Sequence, residues 1–255
     1  MSRSRIAREL SRRWLATRLA LSGRVHQYPE ILALSRFFEA FEIDALIDVG
    51  ANAGQYALMA RHDAGFRGHI FSFEPNPEVF ARLQRSAARD SRWHVFNIAL
   101  SDFDGTVPFN IMAADQFSSI APPSDALDPI FIDRNRVVRT VNIQCRRLDG
   151  MLDELLGPYG LSRPFLKMDT QGHDRAVCDG AGDRLSDMLG AQTELAVRPL
   201  YAGASEWRDM IEYLGKRGLS ANAMFANNKG HFPLLVEMDG IFIRSDLAGE
   251  GAVSA

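Results

Sequence analysis

From residue 45 onward, runs rich in β-branched and aromatic residues alternate with stretches of helical periodicity, and this alternation restricts the possible folds more than any single motif does. The runs are ALIDV (45–49), HIFSF (69–73), HVFNIAL (94–100), PFLKM (164–168) and QTELAV (192–197). Helical stretches fall at about 54–64, 77–89, 148–157, 174–186 and 205–217. Strands separated by helices predict an α/β fold, a doubly wound and mainly parallel sheet wrapped by helices. The last helix sets Trp207, Met210, Ile211 and Leu214 three and four residues apart, with Gly218 as its stop. Beyond it, LSANAMF (219–225) and PLLVEMDGIFIR (233–244) read as an antiparallel hairpin at one sheet edge, joined by the polar turn around ANNKGH.

Residues 101–147 break the alternation. TVPFNI (106–111) and VVRTVNIQC (137–145) read as strands, while FSSIAPPSDALDPIFIDRN (117–135) has the Ser, Pro and Asp content of a loop. A long loop inside a compact domain usually serves function, so this insertion is expected to face the substrate. Its FSS triplet (117–119) either hydrogen-bonds a polyol or forms a turn. The expected organisation is an N-terminal basic helical segment (1–40), one large domain (41–247) and a disordered tail (248–255).

The first 24 residues set Arg3, Arg5, Arg8, Arg12, Arg13, Arg18 and Arg24 against a single acid, Glu9. Ile6, Leu10 and Trp14 recur at helical spacing with Leu15 and Leu19 beside them, so one side of a helix can pack while the arginines stay solvated. Two readings follow: a terminal helix docked on the domain or over its cleft, which is favoured, or a helix that meets a membrane surface or another anionic partner. The whole chain has a net charge of -3, which argues against a surface built for nucleic acid. No run approaches 18 apolar residues, so no membrane span is expected. The two cysteines, Cys145 and Cys178, without a CxxC pair or a secretion-like leader, read as buried thiols of a reducing, cytoplasmic protein. His26, His62, His69, His94 and His231 lack metal-ligand spacing, which argues against zinc, and Asp169 with Glu194 would give magnesium only an incomplete shell, so no metal is expected.

In doubly wound folds the ligand lies beyond the carboxyl ends of the strands, where glycines at the first strand-to-helix turn let the backbone approach it. Gly50 and Gly54 mark that turn. A dinucleotide would call for GxGxxG, but Asn52 and Gln55 stand where its second and third glycines belong. Asp48, just before the turn, suits a cation better than a pyrophosphate. S-adenosylmethionine carries a sulfonium and an ammonium and no phosphate. FSFEPNP (71–77) then puts Glu74 at the end of the second strand, where an acid can accept from both ribose hydroxyls.

IDVGANAGQYA, FSFEPNP, NIALSD, RRLDGML, FLKMDTQGHD, LAVRPLYAG and VEMDGIFIR occur in the order seen in the FkbM family of S-adenosylmethionine-dependent methyltransferases, which this chain resembles over about residues 44–244. The resemblance implies a seven-stranded, Rossmann-like class I methyltransferase sheet with its last strand antiparallel. It also implies methyl transfer, usually to a hydroxyl of a sugar, polyketide or similar small metabolite. Carried over by position, Asp48, Gly50, Asn52 and Gly54 would hold the methionine part of the cofactor, with Tyr56 nearby. Glu74 would bind the ribose, Asn76 would line the adenine side, and Ser101 or Asp102 would accept from the adenine amino group or else form a turn.

The fourth strand of the alternation carries Lys167 and Asp169 on one face, followed by Gln171, Gly172, His173 and Asp174. Charged residues at the end of a buried strand are costly unless paired or used. Gln171 replaces the Glu more common in the family, which removes an acid. Asp174 either acts in the site or caps the following helix. A hydroxyl acceptor must lose its proton, and His173 is the natural general base. Lys167 could act so only if burial lowered its pKa, and otherwise pairs with Asp169 or Glu194. Glu194 either orders Lys167 or faces the acceptor.

Overall fold

Five consecutive apolar-rich positions, Ala45–Val49, form strand β1, and all five are buried because this strand lies mid-sheet with helices on both faces. The computed structural model describes residues 3–124, 133–227 and 233–249, with side chains from residue 12 onward. The other strands are β2 (His69–Phe73), β3 (Trp93–Phe96), β4 (Ala99–Leu100), β5 (Gly105–Met112), β6 (Val137–Arg146), β7 (Pro164–Met168), β8 (Gly190–Ala196), β9 (Leu219–Ala226) and β10 (Glu237–Arg244). The helices are α1 (Arg3–Leu21), α2 (Tyr28–Ala40), α3 (Gln55–His62), α4 (Pro77–Ala87), α5 (Leu152–Leu156), α6 (Asp174–Ala181) and α7 (Trp207–Lys216).

Seven strands make the main sheet in the order β3-β2-β1-β7-β8-β10-β9. β1 pairs in parallel with β2 and β7, and β10 runs antiparallel to both of its neighbours. β10 therefore lies inside the sheet, and β9 is the edge. One face is covered through Leu152, Val177 and Leu214 of α5, α6 and α7. The other is covered through Leu19, Leu34, Ala57 and Leu83 of α1 to α4. The Phe37 and Phe38 rings of α2 stand 5.2 and 5.4 Å from Phe165 of β7, which fixes this helix against the sheet.

The expected strand 94–100 is broken. Asn97 donates its side-chain amide to the carbonyls of Glu74 (2.8 Å) and Pro75 (3.1 Å), and the chain turns out of the main sheet. β4 then enters a second sheet, ordered β4-β6-β5, that holds most of the insertion 101–147. Helices also end earlier than periodicity suggested, α5 and α6 each giving way to a 3-10 turn.

On α1, Leu15 and Leu19 are buried, but Trp14 is 62% exposed, so Trp14 does not share the packing side expected for it. An ion pair from Arg18 to Asp63, and a second from Arg24 at 3.6 Å, pin the helix end to the residue that follows α3. No described helix is long and apolar enough to cross a membrane. His231, most of the ANNKGH turn and the tail from residue 250 lie outside the described residues.

Candidate active site

The register of the sheet sets Ser72, Asp48, Lys167 and Gln192 side by side across β2, β1, β7 and β8, a polar row in a buried layer. Its members are bonded to one another or to adjacent side chains except at Asp48 Oδ1, which is buried without a hydrogen bond and faces the Lys167 ammonium. Trp93 Nε1 donates to Ser72 Oγ (2.9 Å), and Ser72 Oγ donates to Asp48 Oδ2 (3.0 Å). Lys167 Nζ lies 3.3 Å from Asp48 and 3.6 Å from Asp169, and its ammonium stands 5.1 Å from the Tyr56 ring. Tyr56 donates to Gln192 Oε1 (2.6 Å), and Gln192 donates to Glu30 of α2 (2.7 Å). Burial opposes the Lys167 charge, but Asp48 and Asp169 outweigh it and hold the ammonium above the ordinary lysine range. Lys167 is thus held as a cation by Asp48 and Asp169, the paired arrangement that stood as the alternative to a general base. Burial pushes Asp48 up, and Lys167 opposes that rise.

Beyond the row, Gly50 sits at φ +75°, and a Cβ there would come within 1.9 Å of the Asp169 carbonyl oxygen. Only glycine lets the loop after β1 touch the end of β7. Asn52 is left-handed at φ 48°, at the position where the dinucleotide motif has glycine. Its backbone N–H donates to Glu74 Oε2 (2.9 Å), and that of Asn76 donates to Glu74 Oε1 (2.8 Å). Each carboxylate oxygen keeps a lone pair for a ligand. Burial pushes Glu74 up to about 7 despite these two donors.

A cleft of about 1100 Å³ opens at the carboxyl ends of these strands. Its wall includes Gly50, Asn52, Tyr56, Glu74, Lys167, Asp169, His173 and Glu194. Asp48, Gly54, Asn76, Ser101 and Asp102 stand behind that wall rather than in it. Asn76 is buried with its side chain accepting from Glu78 N (3.1 Å) as the cap of α4, so it does not offer that oxygen to the adenine side. Ser101 is fully buried, donating to Asp102 Oδ1 (3.0 Å) and lying 2.9 Å from His173 Nε2. Burial lowers the His173 pKa, while Asp174 and Asp102 work against that shift.

The far end of the cleft is acidic, lined by Asp169, Glu194, Glu237 and Asp239. Gln171, left-handed at φ 56°, donates through Nε2 to Asp169 Oδ1 (2.8 Å) and Glu194 Oε2 (3.4 Å) and accepts from Tyr201 (2.6 Å). An amide satisfies both carboxylates where a glutamate would repel them. Asn227 donates to the other Glu194 oxygen at 2.8 Å. Burial, followed by the Glu237 charge, pushes Glu194 well up; burial also carries Glu237 up to about 7, with the bond from Glu194 opposing the rise. Among the described residues, no three His, Cys, Asp or Glu side chains converge to hold a metal ion.

Asp174 does not cap α6. It accepts from Thr170 N (2.8 Å) and Thr193 Oγ1 (2.6 Å), tying the loop after β7 to β8. In the FSS triplet, Ser119 donates to the Gln171 carbonyl (2.7 Å) and is buried as part of a turn, whereas Phe117 and Ser118 line the cleft. Sequence reasoning passed over Glu30, Gln192, Glu237 and Asp239. Acids at alternate positions of VEMDG and a polar residue two before Glu194 were the signals for three of them; Glu30 had none.

The cleft fits a nucleoside-bearing cation: Gly50 admits close backbone approach, Glu74 offers paired acceptors, and carboxylates line the opposite end. With the strand order and the single antiparallel strand, these features define a class I, Rossmann-like methyltransferase. The methyltransferase FkbM domain matches residues 48–221, and the chain belongs to that family. It is similar to the 2-O-methyltransferase NoeI of Sinorhizobium fredii, 27% identical over 72% of this chain and 79% of that one. It is also similar to the hexuronic acid methyltransferase AglP of Haloferax volcanii, 26% identical over 76% of this chain and 71% of that one. The solved methyltransferase FkbM from Methylobacillus flagellatus shares the fold, with a TM-score of 0.50 and 15% identity over 79% of this chain. This chain spans 44% of that longer protein.

Proposed function

We propose that this protein transfers a methyl group from S-adenosylmethionine to a hydroxyl of a sugar or related small metabolite. The observation that carries the reading is one continuous cleft with a ribose acceptor, Glu74, at one end and a carboxylate-rich floor at the other. The names of the two curated relatives, one a 2-O-methyltransferase and one acting on a hexuronic acid, support the sugar hydroxyl. The two free, buried thiols accord with a reducing cytoplasm.

Glu74 holds the ribose, and the Gly50–Asn52 loop with Asp169 holds the methionine end. Asp48, Gly54 and Asn76 shape the loop and wall from behind, and Tyr56 braces Lys167. Ser101 and Asp102 act at the adenine end by holding His173. Bound S-adenosylmethionine supplies an electrophilic methyl group on its sulfonium. In-line attack needs the acceptor oxygen about 3 Å from that carbon, and positioning supplies much of the acceleration. Burial raises both Glu194 and Glu237, and whichever of the two is in its carboxylate form takes up the proton that the acceptor hydroxyl releases. Lys167 stands 3.6 Å from Asp169 beside them.

Glu74→Ala weakens S-adenosylhomocysteine binding by roughly tenfold to a hundredfold, the loss of charge-assisted hydrogen bonds. Binding that uses the carboxylate lowers its pKa, so affinity is highest above the free value near 7 and falls as pH drops below it. The dissociation constant accordingly rises about tenfold between pH 8 and pH 6. Calorimetric titration checks both; an unchanged affinity in the variant removes Glu74 from the site.

Glu194→Gln lowers turnover by roughly 10²–10⁴ while S-adenosylhomocysteine affinity stays within a few-fold. His173→Gln, which loses only the bond to Ser101, has a smaller effect. Steady-state assays on a panel of hydroxylated sugars decide between the two, and the reverse order assigns the proton to His173.

A further inference from the structure

The helix α1 carries two apolar stripes. Leu15 and Leu19 are buried against the domain, whereas Trp14 and Leu21 are 62% and 86% exposed. Trp14 and Leu21 are seven residues apart, two turns on one side, and their stripe lies about 130° around the helix from the docked one. Val25, in the turn just after the helix, is also 56% exposed. The segment is also strongly basic, with Arg3, Arg5, Arg8, Arg12 and Arg13 against Glu9 alone in its first turns, in a chain whose net charge is -3. Abundant arginine and an outward tryptophan beside an apolar residue are features that a helix lying in the headgroup layer of a bilayer uses. Such a helix needs no spanning length. The Arg18 guanidinium stands over the Trp14 ring at 4.8 Å, and an anionic polymer would satisfy the arginines but leave Leu21 and the rest of the exposed Trp14 surface uncovered.

The position of α1 gives this consequence for the enzyme. Arg18, Ser22, Arg24 and His26, at the end of α1 and just after it, line the cleft. We propose that the outer side of α1 docks on an anionic lipid surface and thereby holds the mouth of the cleft beside that surface, where an acceptor attached to lipid would be within reach.

The test uses the full chain with vesicles of phosphatidylcholine alone or doped with phosphatidylglycerol. The wild type is expected to partition on the order of tenfold or more in favour of the doped vesicles, with the preference falling as salt rises. Tryptophan emission should shift to the blue on binding. Trp14→Ser with Leu21→Ser should abolish the blue shift and most of the binding, and Arg5→Glu with Arg12→Glu should abolish the preference for anionic lipid. All four changes lie outside the cofactor site, so thermal stabilisation by S-adenosylhomocysteine in the same samples reports an intact fold and tests the cofactor reading separately. Equal partition to both vesicle types overturns the proposal, as does undiminished vesicle binding by the serine variant. Self-association without lipid that the serine variant loses also overturns it, by assigning the stripe to a second copy of the chain.

Discussion

Lys167→Met should lower the stability of the cofactor-free protein by about 3–5 kcal/mol at neutral pH, because it leaves Asp48 charged and buried without its cation. For a chain of this size that is a fall of roughly 6–20 °C in the unfolding midpoint. Methionine keeps most of the volume, so the loss reports charge rather than packing. Asp48 is fully buried, and its remaining partner, Ser72, supplies one hydrogen bond at 3.0 Å. Without Lys167 the folded-state pKa of Asp48 lies far above its unfolded value, so the variant is penalised least in acid and loses stability as pH rises. The double variant with Asp48→Asn should recover much of the loss, since both charges are then gone. Thermal unfolding of the two variants across pH checks this; equal destabilisation at pH 5 and pH 8 would mean that packing of the lysine stem dominates.

Gly50→Ala should cost about 2–4 kcal/mol of stability and weaken S-adenosylhomocysteine binding by more than a hundredfold. Two physical terms contribute. A left-handed backbone costs an alanine roughly 1–2 kcal/mol, and the added Cβ meets the Asp169 carbonyl oxygen at 1.9 Å, a backbone atom that can yield only by moving the loop or the end of β7. Either movement separates the loop that holds Asn52 from the strand end that holds Asp169. Gly23→Ala isolates the first term, since Gly23 sits at φ +71° with nothing within 4 Å of its Cβ position. That control should lose only the conformational term and bind normally. If the two substitutions behave alike in unfolding and in calorimetric titration, close contact between loop and strand is not what forms the site.

The strands that build the site were legible because each is short, rich in β-branched and aromatic residues, and bounded by turn residues. The break at Asn97 was not, since HVFNIAL has unbroken strand propensity and only the carbonyls of Glu74 and Pro75, brought near by the fold, turn it aside. Trp14 shows the limit of periodicity in a different way. Its spacing fits a packed stripe as well as an exposed one, and which stripe docks depends on where the sheet offers a surface.

The candidate site divides along the same line. Glycine at position 50, an acid at position 74 and charged residues at the end of β7 are unusual enough in their local context to be picked out from the chain alone. Their roles depend on partners far away in sequence. Lys167 is a fixed cation because Asp48 stands across one strand gap, His173 is held by Ser101, and Gln171 holds Asp169 and Glu194 together. The sequence by itself determined the order of strands and helices and the family, since these follow from local propensity, periodicity and motif spacing. Only the tertiary structure decided which polar groups face the cleft and which are spent on one another, because burial and hydrogen bonding set the charge of each group through neighbours that strand pairing supplies.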